Sequence, residues 1–189
     1  MSFPMLKSYV CSEVANVPWE QWAMMGVLSL LLTVFYLIKK QCSVYGALCF
    51  GFSFFIGLFL LELAVFIRCF GTSPTTAGFR FTFHQLLSSN EQGKVELLAN
   101  ILALIPFGLF LSEFLASAKR FSARRRLRLA TLAGFGLSIG IECLQLLLGV
   151  GIFELTDLVM NTLGAFVGAG AALLFRRFLH ALPRSNNDK

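Results

Sequence analysis

Five long apolar runs leave this chain few ways to fold. They occupy residues 23–38, 44–67, 95–118, 129–148 and 157–175. A helix rises about 1.5 Å per residue, so about 20 apolar residues cross a hydrocarbon core of about 30 Å. Only 14% of the residues are charged, where a soluble domain has about a quarter. Within hydrocarbon every backbone N–H and C=O must be bonded inside the chain, and a helix does this within one segment. The runs therefore predict an all-α fold, a polytopic membrane helix bundle of about five transmembrane helices. The 21 phenylalanines lie mostly in these runs and read as lipid-facing bulk and helix packing.

The organisation read from these runs is threefold. Residues 1–94 form an N-terminal region with two transmembrane helices and an extracytoplasmic connection. Residues 95–178 form a core of three transmembrane helices, and 179–189 a cytoplasmic tail. Trp19 and Trp22 mark a membrane interface, where amphipathic rings prefer to lie. The first span reads as a signal anchor and not a cleaved signal peptide, because Lys39 and Lys40 follow it and no A-x-A site does. In the connection after span two, Phe79, Phe81 and Phe83 alternate with Arg80, Thr82 and His84. That period of two is strand-like, but beside a membrane the expectation is a segment lying on its surface. The five cysteines are scattered without CxxC spacing, so no metal, cofactor or redox framework is expected.

Charge sets the expected orientation. With residues 39–43, 119–128 and the tail inside, twelve Lys and Arg lie inside and four outside. This positive-inside bias makes the protein multi-pass with its N-terminus outside and its C-terminus inside. The net charge of +6 then belongs to cytoplasmic loops, and no nucleic-acid partner is implied. Membrane lipids are the expected surroundings.

The polar residues within the runs carry the functional signal. Such groups are costly in a bilayer and usually face the bundle interior or a water-filled cavity. Glu142 and Gln145 stand three apart, and Asp157 and Asn161 four apart, so each pair shares a helix face. The short break at 149–156 makes the two helices antiparallel. Asn100 lies in the outer half of span three at similar depth. Glu142 lies about 9–11 Å below the outer end of span four at 1.5 Å per residue. Glu62 falls in the outer half of span two. Glu113 sits near the inner end of span three, where pairing with the basic connection accounts for it. Gly136 and Gly140, and Gly164 and Gly168, form GxxxG spacings that permit close helix approach.

Three segments together resemble the VanZ-like family of small bacterial membrane proteins, named for teicoplanin resistance. They are NILALIPFG (Asn100–Gly108), IECLQ (Ile141–Gln145) and FELTDLVMNTLGAFVG (Phe153–Gly168). The resemblance covers roughly residues 97–170, the last three spans, which makes 95–178 a VanZ-like core. Asn100, Pro106, Gly108, Glu142, Gln145, Asp157, Asn161 and Gly164 fill the pattern. Family members often have Arg where this chain has Gly151, and Asp where it has Glu154. An Arg would offer a bidentate donor for carboxylate or phosphate; without it, that recognition is in question or shifts to Arg68 or Arg80. The resemblance implies an envelope protein of the bacterial cytoplasmic (inner) membrane, more a binder than an enzyme, linked to teicoplanin-type glycopeptide resistance. Its implied ligands are a lipid, a lipid-linked cell-wall precursor or a lipoglycopeptide at the outer face.

Two classes of function remain open from the residues. One is a non-enzymatic binder using Asn100, Glu142, Gln145, Asp157 and Asn161. The other is a small transporter or carboxylate-dependent enzyme acting on a lipid-linked substrate, with Glu142 and Asp157 as its acids. His84 and His180 lie outside the spans, so a Ser–His or Cys–His pair within the membrane is not available. For each residue the bland reading stands beside these. Glu142, Gln145, Asn100 and Asn161 serve as interhelical glue, and Asp157 as a helix N-terminal cap.

The orientation is checked by cysteine labelling from outside the cell. Residues engineered at 75–90 should react and those at 120–127 should not, and the reverse pattern overturns the topology.

Overall fold

The computed structural model describes residues 7–8, 11, 14–15, 17–39, 43–66, 78–80, 91–118 and 121–181. Its elements run α1 (Trp19–Ile38), α2 (Val44–Leu61), β1 (Gly78–Arg80), α3 (Glu91–Ser117), α4 (Ala123–Leu147), β2 (Ile152–Glu154) and α5 (Leu155–Ala181). A π-helical turn, Glu62–Phe66, continues α2. Five helices are long and apolar enough to cross a membrane, so the chain is the all-α membrane bundle that its apolar runs imply.

The distribution of side chains is that of a protein solvated by lipid. Leu30, Leu31, Ile38, Leu132, Leu174 and Phe175 point outward. Ser53, Ser112, Glu113, Ser138, Glu142, Gln145, Thr156 and Asn161 are buried. Lipid is as apolar as leucine, so outward leucines cost nothing, and polar groups gain by turning inward. Several hydroxyls bond back to their own helix. Thr33 donates to Ser29 O at 2.8 Å, Thr131 to Leu127 O at 2.8 Å and Thr162 to Leu158 O at 2.7 Å.

Helix α5 is the centre of the bundle. It packs chiefly on α3 and then on α4; α2 covers α3, and α1 covers α2. The α3–α5 contact is backbone against backbone. A Cβ at Gly164 would collide with the carbonyl of Ile101, one at Gly168 with that of Ile105, and one at Gly108 with that of Ala165. The Gly164–Gly168 spacing therefore packs helices. The Gly136–Gly140 spacing does not, since a Cβ at either position meets open space. On α4 the close contact falls instead at Gly134, against Ala165. Gly134 lies on the buried stripe of α4 with Ala130 and Ser138, whereas Gly136 is turned outward.

The ends of the helices follow from local chemistry. Helix α4 begins six residues before the expected span, at Ala123, because Ser122 caps it by accepting from the Arg125 N–H at 3.4 Å. It stops at Gly149, whose φ of +70° suits glycine. There the N–H of Val150 donates to Gln145 O at 2.9 Å and that of Gly149 to Leu146 O at 3.2 Å, the Schellman pattern. The break between α4 and α5 then forms β2, which pairs in parallel with β1, Phe79 opposite Phe153. Their rings lie 5.7 Å apart. The alternation at 78–80 thus marks a short strand with a partner. The rest of that alternation, 81–84, lies outside the described residues.

Glu113 also finds a different partner from the one expected. It is bonded by both Nε and an Nη of Arg176 on α5, the shortest contact being 2.7 Å, and by the Tyr45 hydroxyl of α2 at 2.9 Å. The parallel register of α3 and α5 explains this. Ile101 faces Gly164 and Ile105 faces Gly168, and the same offset of 63 residues brings Glu113 to Arg176.

Gly168→Leu should force α3 from α5 and cost about 1–3 kcal/mol or more, as overpacking does. Gly136→Leu, on the open face, should leave thermal melting in detergent unchanged. Equal effects of the two substitutions would refute this packing.

Candidate functional site

The polar hairpin is built on one stripe of α4. Ala130, Gly134, Ser138, Ile141, Glu142 and Gln145 are its buried positions, at the three- and four-residue steps of a helix face. The small residues let α5 approach, and the larger polar ones follow toward the β2 end. The antiparallel run of α5 then sets Asn161 against Ser138. The Asn161 amide donates to Ser138 Oγ at 2.9 Å, with both residues buried.

Glu142 lies about one and a half turns before the end of α4 and is 3% exposed. Its Oε2 accepts the backbone N–H of Glu154 at 2.9 Å. Glu154 is the last residue of β2 and directly precedes α5. The carboxyl thus ties α4 to the start of α5, where a negative group is favoured by the helix dipole. Gln145, 4% exposed, reaches a third element: its amide donates to Ala64 O at 2.8 Å. Ala64 belongs to the π-helical turn that ends α2.

Asp157 sits in the first turn of α5 and is half-buried, the position where a carboxylate meets free N–H groups and a favourable dipole. Asn100 lies on α3, half-buried. Among the described residues it makes no hydrogen bond to the other four. The structure therefore gathers Glu142, Gln145 and Asn161 at the junction of α4 with α5 and α2, with Gln145 and Asn161 bonded to separate partners. Ser138, the Ala64 carbonyl and the Glu154 N–H complete the arrangement. Ser138 was legible, since it stands four before Glu142 on the same stripe. The other two are backbone groups and leave no mark on side-chain spacing.

Glu62 opens the π-helical turn and is buried, and its Oε1 has no hydrogen-bond partner among the described residues. Position 151 is filled from the side: a Cβ on Gly151 would lie 3.1 Å from the Cβ of Gln145 and 3.3 Å from its Oε1. Gln145 thus occupies the space into which a larger residue at 151 would have to fit. Among the described residues, no group of three or more His, Cys, Asp or Glu is placed to hold a metal ion.

The ordered motifs on three packed helices agree with comparison to known proteins. A family model described as VanZ/LLP1 matches residues 58–176. The chain belongs to the VanZ/LLP1 family. Searches of curated proteins and of solved structures give no match. The family match starts in α2, earlier than the core at 95–178, and so includes the π-helical turn and both strands. The Pro-Phe-Gly motif of this VanZ-family chain has a structural reason in Gly108, whose missing side chain admits the Ala165 carbonyl. The Asp-x-x-x-Asn-x-x-Gly motif sets Asp157 at the helix start, Asn161 on Ser138 and Gly164 on Ile101.

The Asn161–Ser138 bond is tested by a double-mutant cycle. Asn161→Ala and Ser138→Ala should couple by about 0.6–1.7 kcal/mol, the range for hydrogen bonds between membrane helices. Strict additivity in thermal or denaturant unfolding would show that the bond contributes nothing.

Proposed function

We propose that this VanZ-family membrane protein is a non-enzymatic binder in the bacterial cytoplasmic membrane, its N-terminus outside. It recognises the polar part of a membrane lipid, a lipid-linked cell-wall precursor or a lipoglycopeptide at the hairpin end of the bundle. Through that binding it contributes to teicoplanin-type glycopeptide resistance.

The observation that carries this reading is Glu142, a carboxyl 3% exposed in a membrane-spanning helix. An intramembrane acid is expensive, and where one is kept a functional role is the first hypothesis. The bond from the Glu154 N–H needs only an acceptor oxygen, which an amide also provides. Asp157 in the first turn of α5 and the chain's family membership support the same end as the binding end. Gln145 and Asn161 then act by holding the frame, through Ala64 and Ser138.

Glu142→Gln is the decisive variant, since it keeps shape and one acceptor and removes only the acid. Wild-type expression in a susceptible host should raise tolerance to teicoplanin more than to vancomycin. The variant should match wild type in abundance and melting temperature and lose that tolerance. No tolerance from well-expressed wild type refutes the resistance link, and full tolerance from the variant removes Glu142 from the site. Proton-dependent flux or turnover of a lipid-linked substrate in liposomes, abolished by the same variant, would replace binding by the transporter or carboxylate-enzyme reading.

A further inference from the structure

The turn that joins α4 to α5 differs from the other connections of the chain. Leu146 to Phe153, LLLGVGIF, holds eight residues without one polar side chain. The connections at 39–43 and 119–128 carry Lys or Arg. A turn that faces water is built mainly from polar residues, Gly and Pro. Here Leu147 is 80% exposed and Leu148 53%, and Phe79 of β1, paired with Phe153, is 60% exposed. Large apolar side chains grouped in this way mark contact with a membrane or a partner.

Three observations select lipid. The first is continuity. Leu132, Phe135 and Cys143 are exposed on α4, and Leu147 stands on the same face, four residues after Cys143. The patch thus extends the lipid-facing surface of the bundle. The second is length. Arg128 and Leu147 are 19 positions apart on α4, about 28 Å at 1.5 Å per residue. A helix that leaves its basic end at one boundary therefore reaches its last leucine within a hydrocarbon core of about 30 Å. The third is the backbone. Irregular chain at membrane depth is tolerated only where its polar groups are bonded within the protein. The N–H groups of Gly149 and Val150 donate to Leu146 O and Gln145 O. That of Glu154 donates to Glu142, and Ile152 to Glu154 pair with β1.

We infer that the α4–α5 turn lies within the membrane leaflet at its end of the bundle, with phospholipid acyl chains packed on Leu147, Leu148 and Phe79. The pairing of β1 with β2 then lets the chain reverse there without water. The same end is polar over α3, where Glu91 and Lys94 pair at the surface at 3.1 Å. This placement does not depend on what Glu142 binds.

The test is fluorescence quenching of the full chain in phosphatidylcholine vesicles. Trp19 and Trp22 are the only tryptophans, and both are first changed to Phe. In that background Leu147→Trp should be quenched severalfold more by phosphatidylcholine brominated on its acyl chains than by acrylamide in the water. Lys94→Trp, over the polar part of the same end, should show the reverse preference. A second measurement uses the unaltered protein and covers the case in which a variant fails to fold. Phosphatidylcholine carrying a diazirine on its acyl chain should label the peptide 146–153 on irradiation. The inference fails if acrylamide quenches Leu147→Trp as strongly as Lys94→Trp, since the turn is then in water. It fails equally if neither quencher reaches Leu147→Trp, or if the unaltered turn takes no label, since protein then covers the patch.

Discussion

The contact of α3 with α5 sets the geometry of the whole bundle. It is made where side chains are absent, with Gly164 on the Ile101 carbonyl, Gly168 on that of Ile105 and Gly108 on that of Ala165. Between apolar helices in lipid there is no hydrophobic drive, so close van der Waals contact is a main source of association. Backbone contact of this kind fixes both distance and register, because the carbonyls fit only where Cβ atoms are missing. One register then has effects at both ends. At one it brings Arg176 to Glu113. Along the middle it centres α5, so that Ala165 meets Gly134 of α4 and Asn161 meets Ser138 one turn away.

Hydrogen-bond satisfaction is the second constraint, and it decides what the polar residues do. In hydrocarbon an unpaired polar group costs several kcal/mol, and Glu142, Gln145 and Asn161 each bond to a different neighbour. Gln145 holds the π-helical turn of α2 through the Ala64 carbonyl, and Asn161 holds Ser138. Each of these side chains acts as a strut. Glu142 also forms a strut, to the Glu154 backbone, and its ionisable carboxyl distinguishes it chemically from its amide neighbours.

Much of the polar arrangement at the hairpin was legible from spacing. A three- or four-residue step puts Glu142 with Gln145 and Asp157 with Asn161, and a short break between apolar helices makes them antiparallel. Spacing on a single helix shows which residues share a face but not where that face points. Gly136–Gly140 and Gly164–Gly168 have the same pattern; the second packs on α3, and the first meets open space because the stripe of α4 runs through Gly134. Asn100 fits the same motif set, yet it forms no hydrogen bond with the α4 and α5 residues. Backbone partners, such as Ala64 O and the Glu154 N–H, are the same atoms in every residue and cannot be read from residue types.

The sequence by itself determined the class of solvent, the number of helices and the stripe on which the polar residues lie. These follow from composition and from periods of three and four residues, which are local properties of a helix. Tertiary structure alone decided the pairing of β1 with β2, whose alternation carries no information about a partner far along the chain. It also decided that Glu113 is held by Arg176 and Tyr45, far along the chain from it. That choice follows from the parallel register of α3 and α5. The register is fixed by glycine contacts several turns from Glu113, so proximity along the chain could not predict it.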